Sequence, residues 1–299
     1  MGRVLLLGAG GQLGMLLKEM LSKEAELTAF TRAEVDLSDA EAVRAAIRKS
    51  EPEILVNAAA YTAVDKAEQE PELAHLVNAV APGVMAEEVQ KTGGWLIHYS
   101  TDYVFDGSGT TPWRESDATG PLNVYGQTKL DGETAIAASG CKHVIFRTSW
   151  VYAANGKNFL HTMLRLGRER ERLQIVDDQI GAPTSAEAIT AATRWVMQQL
   201  TASDEKEDAT GIYHLTCAGA TSWCGFAQAI FAEFASSQKA PEVVPIPTEA
   251  YPTPARRPHN SRLNCAKFTA TFGHAMPEWR DALRDVSRAM IPAPETTNS

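Results

Sequence analysis

The glycine run Gly8-Ala-Gly-Gly11-Gln-Leu-Gly14 directly follows the apolar stretch Arg3-Val-Leu-Leu-Leu7, and it constrains the chain more than any other feature. A buried strand, a glycine turn and a helix carried by Leu16, Leu17, Met20 and Leu21 make the first half of a βαβ unit. Glycine serves three needs there: a tight turn, close approach of backbone to a pyrophosphate, and close packing of helix on strand. The helix N-terminus adds free N–H groups and a partial positive charge for the phosphates.

The second strand, Leu27-Thr-Ala-Phe30, ends in Thr31-Arg32. NAD-binding folds often place a carboxylate at this point for the ribose 2′-hydroxyl. None sits here, and Arg32 suits a 2′-phosphate, so NADPH is expected at least as readily as NADH. Asp36-Leu37 follows in a turn within reach of an adenine ring; a simple loop aspartate is the alternative reading.

Strand and helix patterns keep alternating, which argues for an α/β chain. Ser38-Asp-Ala-Glu41 reads as a capping box that opens a helix to about Lys49. Ile54-Leu-Val-Asn57 is a buried strand. It leads into Ala58-Ala-Ala-Tyr-Thr-Ala-Val64, whose small side chains let another body approach the backbone. Helical patterning runs from Pro71 to about Lys91. Trp95 to Ser100 is the next strand, and Thr101-Asp-Tyr-Val-Phe-Asp106 leaves its carboxyl end, where open parallel sheets carry their ligands. After a loop to Pro121 come a helix with Tyr125 and Lys129 and a strand from His143 to Arg147. Beyond Tyr152 the pattern loosens. Helices are expected from Asn158 to Arg170, Ser185 to Leu200 and Trp223 to Phe234, with strands at Gln174 to Val176 and Ile212 to Thr216. Thr201 to Thr210 reads as an acidic linker. The spaced prolines from Pro241 to Pro258 predict extended loops rather than helices.

With 299 residues, 44% of them hydrophobic, the chain can bury one large core or two unequal ones. A net charge of -9 argues against nucleic acid and anionic membrane as partners, but not against a small anionic substrate that feels only the local field. Cys141, Cys217, Cys224 and Cys265 are scattered, which suits a reducing, cytoplasmic setting. No apolar run approaches a membrane span, and the first strand begins within three residues of Met1, so no signal peptide is expected. The histidines form no metal-binding spacing.

Tyr125 and Lys129, four residues apart on a helix, share one face. An ammonium beside a phenol favours phenolate and pulls the phenol below its free value of about 10. Such a group can serve as an acid or base near neutral pH. The spacing alone is common on solvated helix faces. The glycine turn before it, and Thr101 between the two, give it weight.

Taken together, Gly8-x-x-Gly11-x-x-Gly14, Thr101 after a strand, and Tyr125-x-x-x-Lys129 resemble the extended short-chain dehydrogenase/reductase superfamily. Longer strings narrow the likeness: Val56 to Glu68, Tyr99-Ser-Thr-Asp-Tyr-Val-Phe105, Pro121 to Gly126, Phe146 to Tyr152, Gly181-Ala-Pro-Thr184 and Arg257-Pro-His-Asn-Ser261. These are similar to the dTDP-4-dehydrorhamnose reductase family over essentially the whole chain. The resemblance implies a Rossmann-type doubly wound parallel sheet with a smaller α+β substrate-binding lobe. Residues 1–150 would form the NAD(P)-binding domain, with parts of 185–216 returning to it, and 151–299 mainly the substrate lobe.

The implied activity is reduction of the 4-keto group of dTDP-4-dehydro-L-rhamnose by NADPH or NADH, giving dTDP-L-rhamnose. Carried over by motif, Tyr125 is the expected proton donor to the 4-oxygen. Lys129 binds the nicotinamide ribose and lowers the Tyr125 phenol, and Thr101 hydrogen-bonds the substrate oxygen. Gly11, Gln12 and Leu13 line the pyrophosphate, and Asp36 with Leu37 the adenosine end. Ala60, Tyr61 and Thr62 lie along the cofactor with Tyr99 beside it. Thr62, Val64 and Asp102 face the sugar nucleotide, and Trp150 walls the sugar pocket. Arg256-Arg257 suits the diphosphate of such a substrate, since Arg grips phosphate bidentately; a solvated surface pair is the alternative. Asn78 resembles the asparagine that supports the superfamily's proton relay, with capping or packing as the other reading.

Some members of the family are described as magnesium-dependent, with a carboxylate just past the third glycine. Here the stretch reads Gly14-Met15-Leu16-Leu17, and Glu187 alone makes no magnesium cage, so no required metal is expected. A homodimer is left open. A sugar-nucleotide epimerase or dehydratase is the second reading, although Asp102-Tyr103 lacks the Asp-Glu pair of dehydratases. The third is a non-catalytic NADP-binding regulatory subunit resembling the methionine adenosyltransferase beta subunit.

Overall fold

The computed structural model describes residues 1–202 and 209–291. Most of the acidic stretch expected as a linker therefore lies outside the described residues. The strands β1 (Arg3–Leu7), β2 (Glu26–Phe30), β3 (Ile54–Asn57), β4 (Trp95–Thr101) and β5 (Lys142–Thr148) join the strand Gly211–His214 in one six-stranded sheet. Its order is Gly211–His214, β5, β4, β3, β1, β2, and every pairing is parallel. Such a sheet must be covered on both faces. Leu6, Leu17, Ile97, Phe146, Ile189 and Val196 bury one side, and Leu5, Leu7, Val43, Leu55, Met85 and Leu96 the other. Each strand contributes alternate residues to the two sides. Chain order reverses direction between β1 and β3, the place where a crevice opens outside the strand ends.

The α/β expectation holds, and the sheet and its helices fit a Rossmann-type fold. The helix Ala186–Ala202 packs on Gln12–Leu21, and Gly211–His214 pairs with β5, so the chain comes back to the main sheet after visiting the second lobe. The second lobe closes around Tyr152, Leu160, Phe226, Ile230, Trp279 and Leu283. Its strands are short: Ile180–Gly181 pairs with Thr221–Ser222 and Asn260–Ser261, and Arg172–Val176 runs parallel to Glu242–Ile246.

Three local expectations need correction. Asp39, not Ser38, caps the helix Ala40–Ser50, accepting from the Glu41 and Ala42 N–H groups. Ser38 is instead held by Asp36, whose carboxylate accepts both its N–H and its hydroxyl. The helical stretch after Pro71 is interrupted by a π-turn at Leu76–Val80 before Ala81–Thr92 begins. The proline-rich stretch contains a strand, Glu242–Ile246, at the rim of a two-stranded sheet where Pro245 is tolerated. Beyond it, Trp279–Met290 is a helix whose apolar stripe of Trp279, Ala282, Leu283 and Val286 completes the second lobe's core. Among the described residues no helix is long and apolar enough to cross a membrane.

Candidate active site

A cleft of about 710 Å³ lies at the carboxyl ends of β1, β3 and β4. Gly8, Gly11, Gln12 and Leu13 line one part of it, and Arg32, Asp36 and Leu37 the end beyond β2. Ala60, Tyr61, Thr62, Tyr99, Tyr125 and Lys129 line the rest. Gly14 lies beneath the turn: a Cβ there would stand 2.0 Å from the Gly8 carbonyl oxygen, so only glycine lets helix and strand close up. Arg32 is exposed and 3.9 Å from the Asp36 carboxylate, at the end of the cleft beyond β2. An elongated cleft with helix N–H groups at its middle and a cation toward either end fits a dinucleotide.

The helix Val124–Ala138 carries Tyr125 and Lys129. Asn123 caps it by accepting from Gly126 N–H, and its amide also donates to the Arg256 carbonyl at 2.7 Å. A cap of this kind contributes about 1 kcal/mol. A Cβ on Gly126 would come within 2.2 Å of the Tyr103 carbonyl oxygen. That close approach brings the first turn of the helix against the segment after β4. Thr101 is buried there; it donates to Asp102 at 3.2 Å and accepts from Tyr103 N–H. Tyr125 shares a hydrogen bond with Thr101, and Tyr103 packs edge-on against its ring with centroids 5.7 Å apart.

The electrostatics differ from the expectation. Burial pushes the Tyr125 phenol up to about 12; the Thr101 hydrogen bond only partly offsets this, and the Asp102 charge adds to it. The ammonium does not lower the phenol, because Lys129 Nζ is turned to the Tyr99 carbonyl at 2.7 Å and to His98 Nε2 at 3.1 Å. Burial brings Lys129 itself down to about 8, against the opposing pull of Glu133. A protonated phenol and a cation close to its titration point therefore stand on one face of the helix.

Asp102 is buried beside Thr101, and burial raises its carboxyl to about 7, with hydrogen bonds from Ser261 and Thr101 opposing. Its Oδ2 has no hydrogen-bond partner among the described residues. Trp150 takes a left-handed backbone, φ 49°, and stacks on Trp223 with centroids 3.7 Å apart. Arg257 is not a free cation: Asp65 holds it through two hydrogen bonds of 2.9 and 2.8 Å. Arg256 is exposed beside it. Val64 opens the short helix Val64–Ala67 that carries Asp65. Asn78 is buried and hydrogen-bonds both the N–H and the carbonyl of Tyr61, so it pins the cleft wall. Of the expected residues, Gly14, Val64, Thr101, Asp102, Trp150, Arg256 and Arg257 lie outside the cleft lining proper.

Sequence reading missed Ser100, Thr148, Val151, Gly156 and Lys157, which also line the cleft. Lys157 arrives on a loop from the second lobe that Gln12 helps to hold, donating to the Val151 carbonyl and accepting from Asn158. No local pattern marks a cleft residue whose only signal is its partner far away in sequence. One group of potential metal ligands occurs among the described residues, Asp178, Glu249 and His259. It is largely exposed, and Asp178 already accepts from the N–H and the hydroxyl of Thr248.

Comparison with known proteins places this geometry in a lineage. The family model described as the RmlD substrate binding domain matches residues 2–291. A dTDP-4-dehydrorhamnose reductase of Escherichia coli K12 is 48% identical over 285 residues, spanning 93% of this chain and 94% of that protein. One from Burkholderia thailandensis is 46% identical over 289 residues, covering 94% and 96%. The crystal structure of a Bacillus anthracis dTDP-4-dehydrorhamnose reductase in complex with NADP superposes with a TM-score of 0.89 at 34% identity, over 96% of this chain and 99% of that one.

Proposed function

The chain belongs to the RmlD substrate binding domain family, and from that premise we propose that it reduces dTDP-4-dehydro-L-rhamnose to dTDP-L-rhamnose with NADPH or NADH. The observation that supports the reading is a cleft lined by the glycine turn together with Tyr125 and Lys129, with Thr101 buried directly beside Tyr125. The nicotinamide cofactor supplies the hydride. Negative charge then builds on the substrate's 4-oxygen. Tyr125, kept protonated by burial, gives that oxygen its proton while Thr101 donates a hydrogen bond to it. Lys129 holds the nicotinamide ribose, and Arg32 favours a 2′-phosphate. Gly11, Gln12 and Leu13 border the pyrophosphate, with Asp36 and Leu37 at the adenosine.

The second lobe, with the loop tied down by Asn123 and Asp65, covers the sugar nucleotide. Asp102 and Trp150 contact the sugar, Thr62 and Val64 face the nucleotide, and Arg256 is the phosphate cation left free by the Arg257–Asp65 pair. The test is consumption of NADPH and NADH with dTDP-4-dehydrorhamnose, followed by identification of the product sugar. Tightly bound NAD with no net oxidation would favour an epimerase instead.

The Lys129 titration gives a signed expectation. Below about pH 8 the ammonium is present; above it the amine is neutral. Cofactor affinity should therefore fall as pH rises through that value, and Lys129→Met should bind weakly at every pH. Fluorescence titrations of the cofactor on both sides of that pH check both. Affinity that is flat with pH in the unmodified protein would remove Lys129 from the ribose contact.

A further inference from the structure

The run of groups from Ala59 to Lys129 allows one proton arrangement. Ala59 N–H donates to Asn57 Oδ1 at 3.1 Å, so the amide NH₂ of Asn57 faces His98 Nδ1 at 3.0 Å. That nitrogen is then an acceptor, and a neutral ring keeps its single proton on Nε2. His98 is fully buried, and burial with the nearby Lys129 and His143 holds it far below the ordinary imidazole range, so the ring is neutral. Its Nε2 lies 3.1 Å from Lys129 Nζ. An ammonium at Nζ meets an N–H there, whereas a neutral amine accepts from it.

We infer that Asn57 and His98 are positioning residues for Lys129: they present a hydrogen-bond donor to Nζ and so make the lysine shed its proton more readily than burial alone would. Other groups around Nζ do not cancel this. Tyr125 and Glu133 share its helix, His98 comes from β4, His143 and Arg147 from β5, and Asp102 lies beyond Tyr125; β3 contributes only uncharged Asn57. Glu133 and the Tyr99 carbonyl favour the ammonium; Arg147 already neutralises Glu133, and the carbonyl also accepts from a neutral amine, so neither removes the effect of the Nε2–H. Turning the Asn57 amide over would relieve Lys129 but set its NH₂ against Ala59 N–H. Charging the lysine thus costs a hydrogen bond elsewhere.

Protein labelled with ¹⁵N in its imidazoles, free of cofactor, reads the tautomer directly, with His98 assigned from the signal lost in His98→Gln. The expected result is an Nε2–H ring across the neutral range; an Nδ1–H or doubly protonated ring overturns the inference. Asn57→Asp is nearly isosteric; its carboxylate accepts from Ala59 and from an Nδ1–H. The ring then turns its Nε2 lone pair to an ammonium. The carboxylate's charge also favours the ammonium, so the variant's own ring tautomer is read together with the lysine's midpoint, and a ring that stays Nε2–H overturns the inference. The Lys129 midpoint, followed by NMR of its side chain, should rise by about one pH unit. An unmoved or lowered midpoint overturns the proposal, and if that variant does not fold the wild-type tautomer still decides. Neither readout needs substrate. A failure of the reductase reading, on which only the consequence for turnover rests, would show separately as absent cofactor oxidation.

Discussion

Tyr125→Phe is expected to lower turnover by about 10²–10⁴-fold while leaving cofactor affinity nearly intact. The variant removes one oxygen and little else. The ring stays packed edge-on against Tyr103, and the helix keeps its Asn123 cap. Lys129 retains both its contacts, neither of which involves Tyr125. What disappears is a phenol that burial keeps protonated throughout the neutral range. Without it the developing oxyanion must take its proton from water and has only the Thr101 hydroxyl beside it. Steady-state kcat, read together with a fluorescence Kd for the cofactor, separates the two effects. Turnover within a few-fold of the unmodified protein would end the assignment of Tyr125 as the acid.

Glu133→Ala should cost about 3–5 kcal/mol of stability, because it strands a buried cation. Glu133 and Arg147 are both almost fully buried, and the guanidinium meets the carboxylate at 2.6, 3.0 and 3.2 Å. Ser100 adds a 2.5 Å hydrogen bond to the same carboxylate, and Arg147 also lies over the Phe105 ring. Arg147 Nη1 has no partner among the described residues, so the pair leaves little slack. Replacing both members, Glu133→Met with Arg147→Met, should recover most of the loss, since an apolar pair of similar volume avoids burying charge. Denaturant midpoints for the two single variants and the double variant measure the coupling. A single variant as stable as the parent would mean that water reaches Arg147.

Legibility in the sequence followed the range of the interaction. The glycine turn and the first βαβ half were readable because strand, turn and helix are neighbours in sequence and their periodicities differ. Tyr125 and Lys129 were readable as a pair for the same reason. Their electrostatics were not: the expected lowering of the phenol assumed that a residue four positions away is the nearest partner. Lys129 finds closer ones on β4, and burial then outweighs its charge. Arg257 shows the same limit. A guanidinium in a proline-rich loop looks free until the fold brings Asp65 to it. The prolines misled at one point, since Pro245 sits in a strand at a sheet rim.

By itself the sequence determined the order of strands and helices as far as β5, the glycine turn, and the three side chains proposed for the chemistry. These rest on steric and periodic rules that act over a few residues. Only the tertiary structure decided what surrounds those side chains: the burial that raises Tyr125 with Thr101 beside it, and the burial of Lys129 among Tyr99, His98 and Glu133. A buried group answers to whatever surrounds it within a few ångströms. In a parallel sheet with crossover helices, those neighbours come from strands tens of residues away.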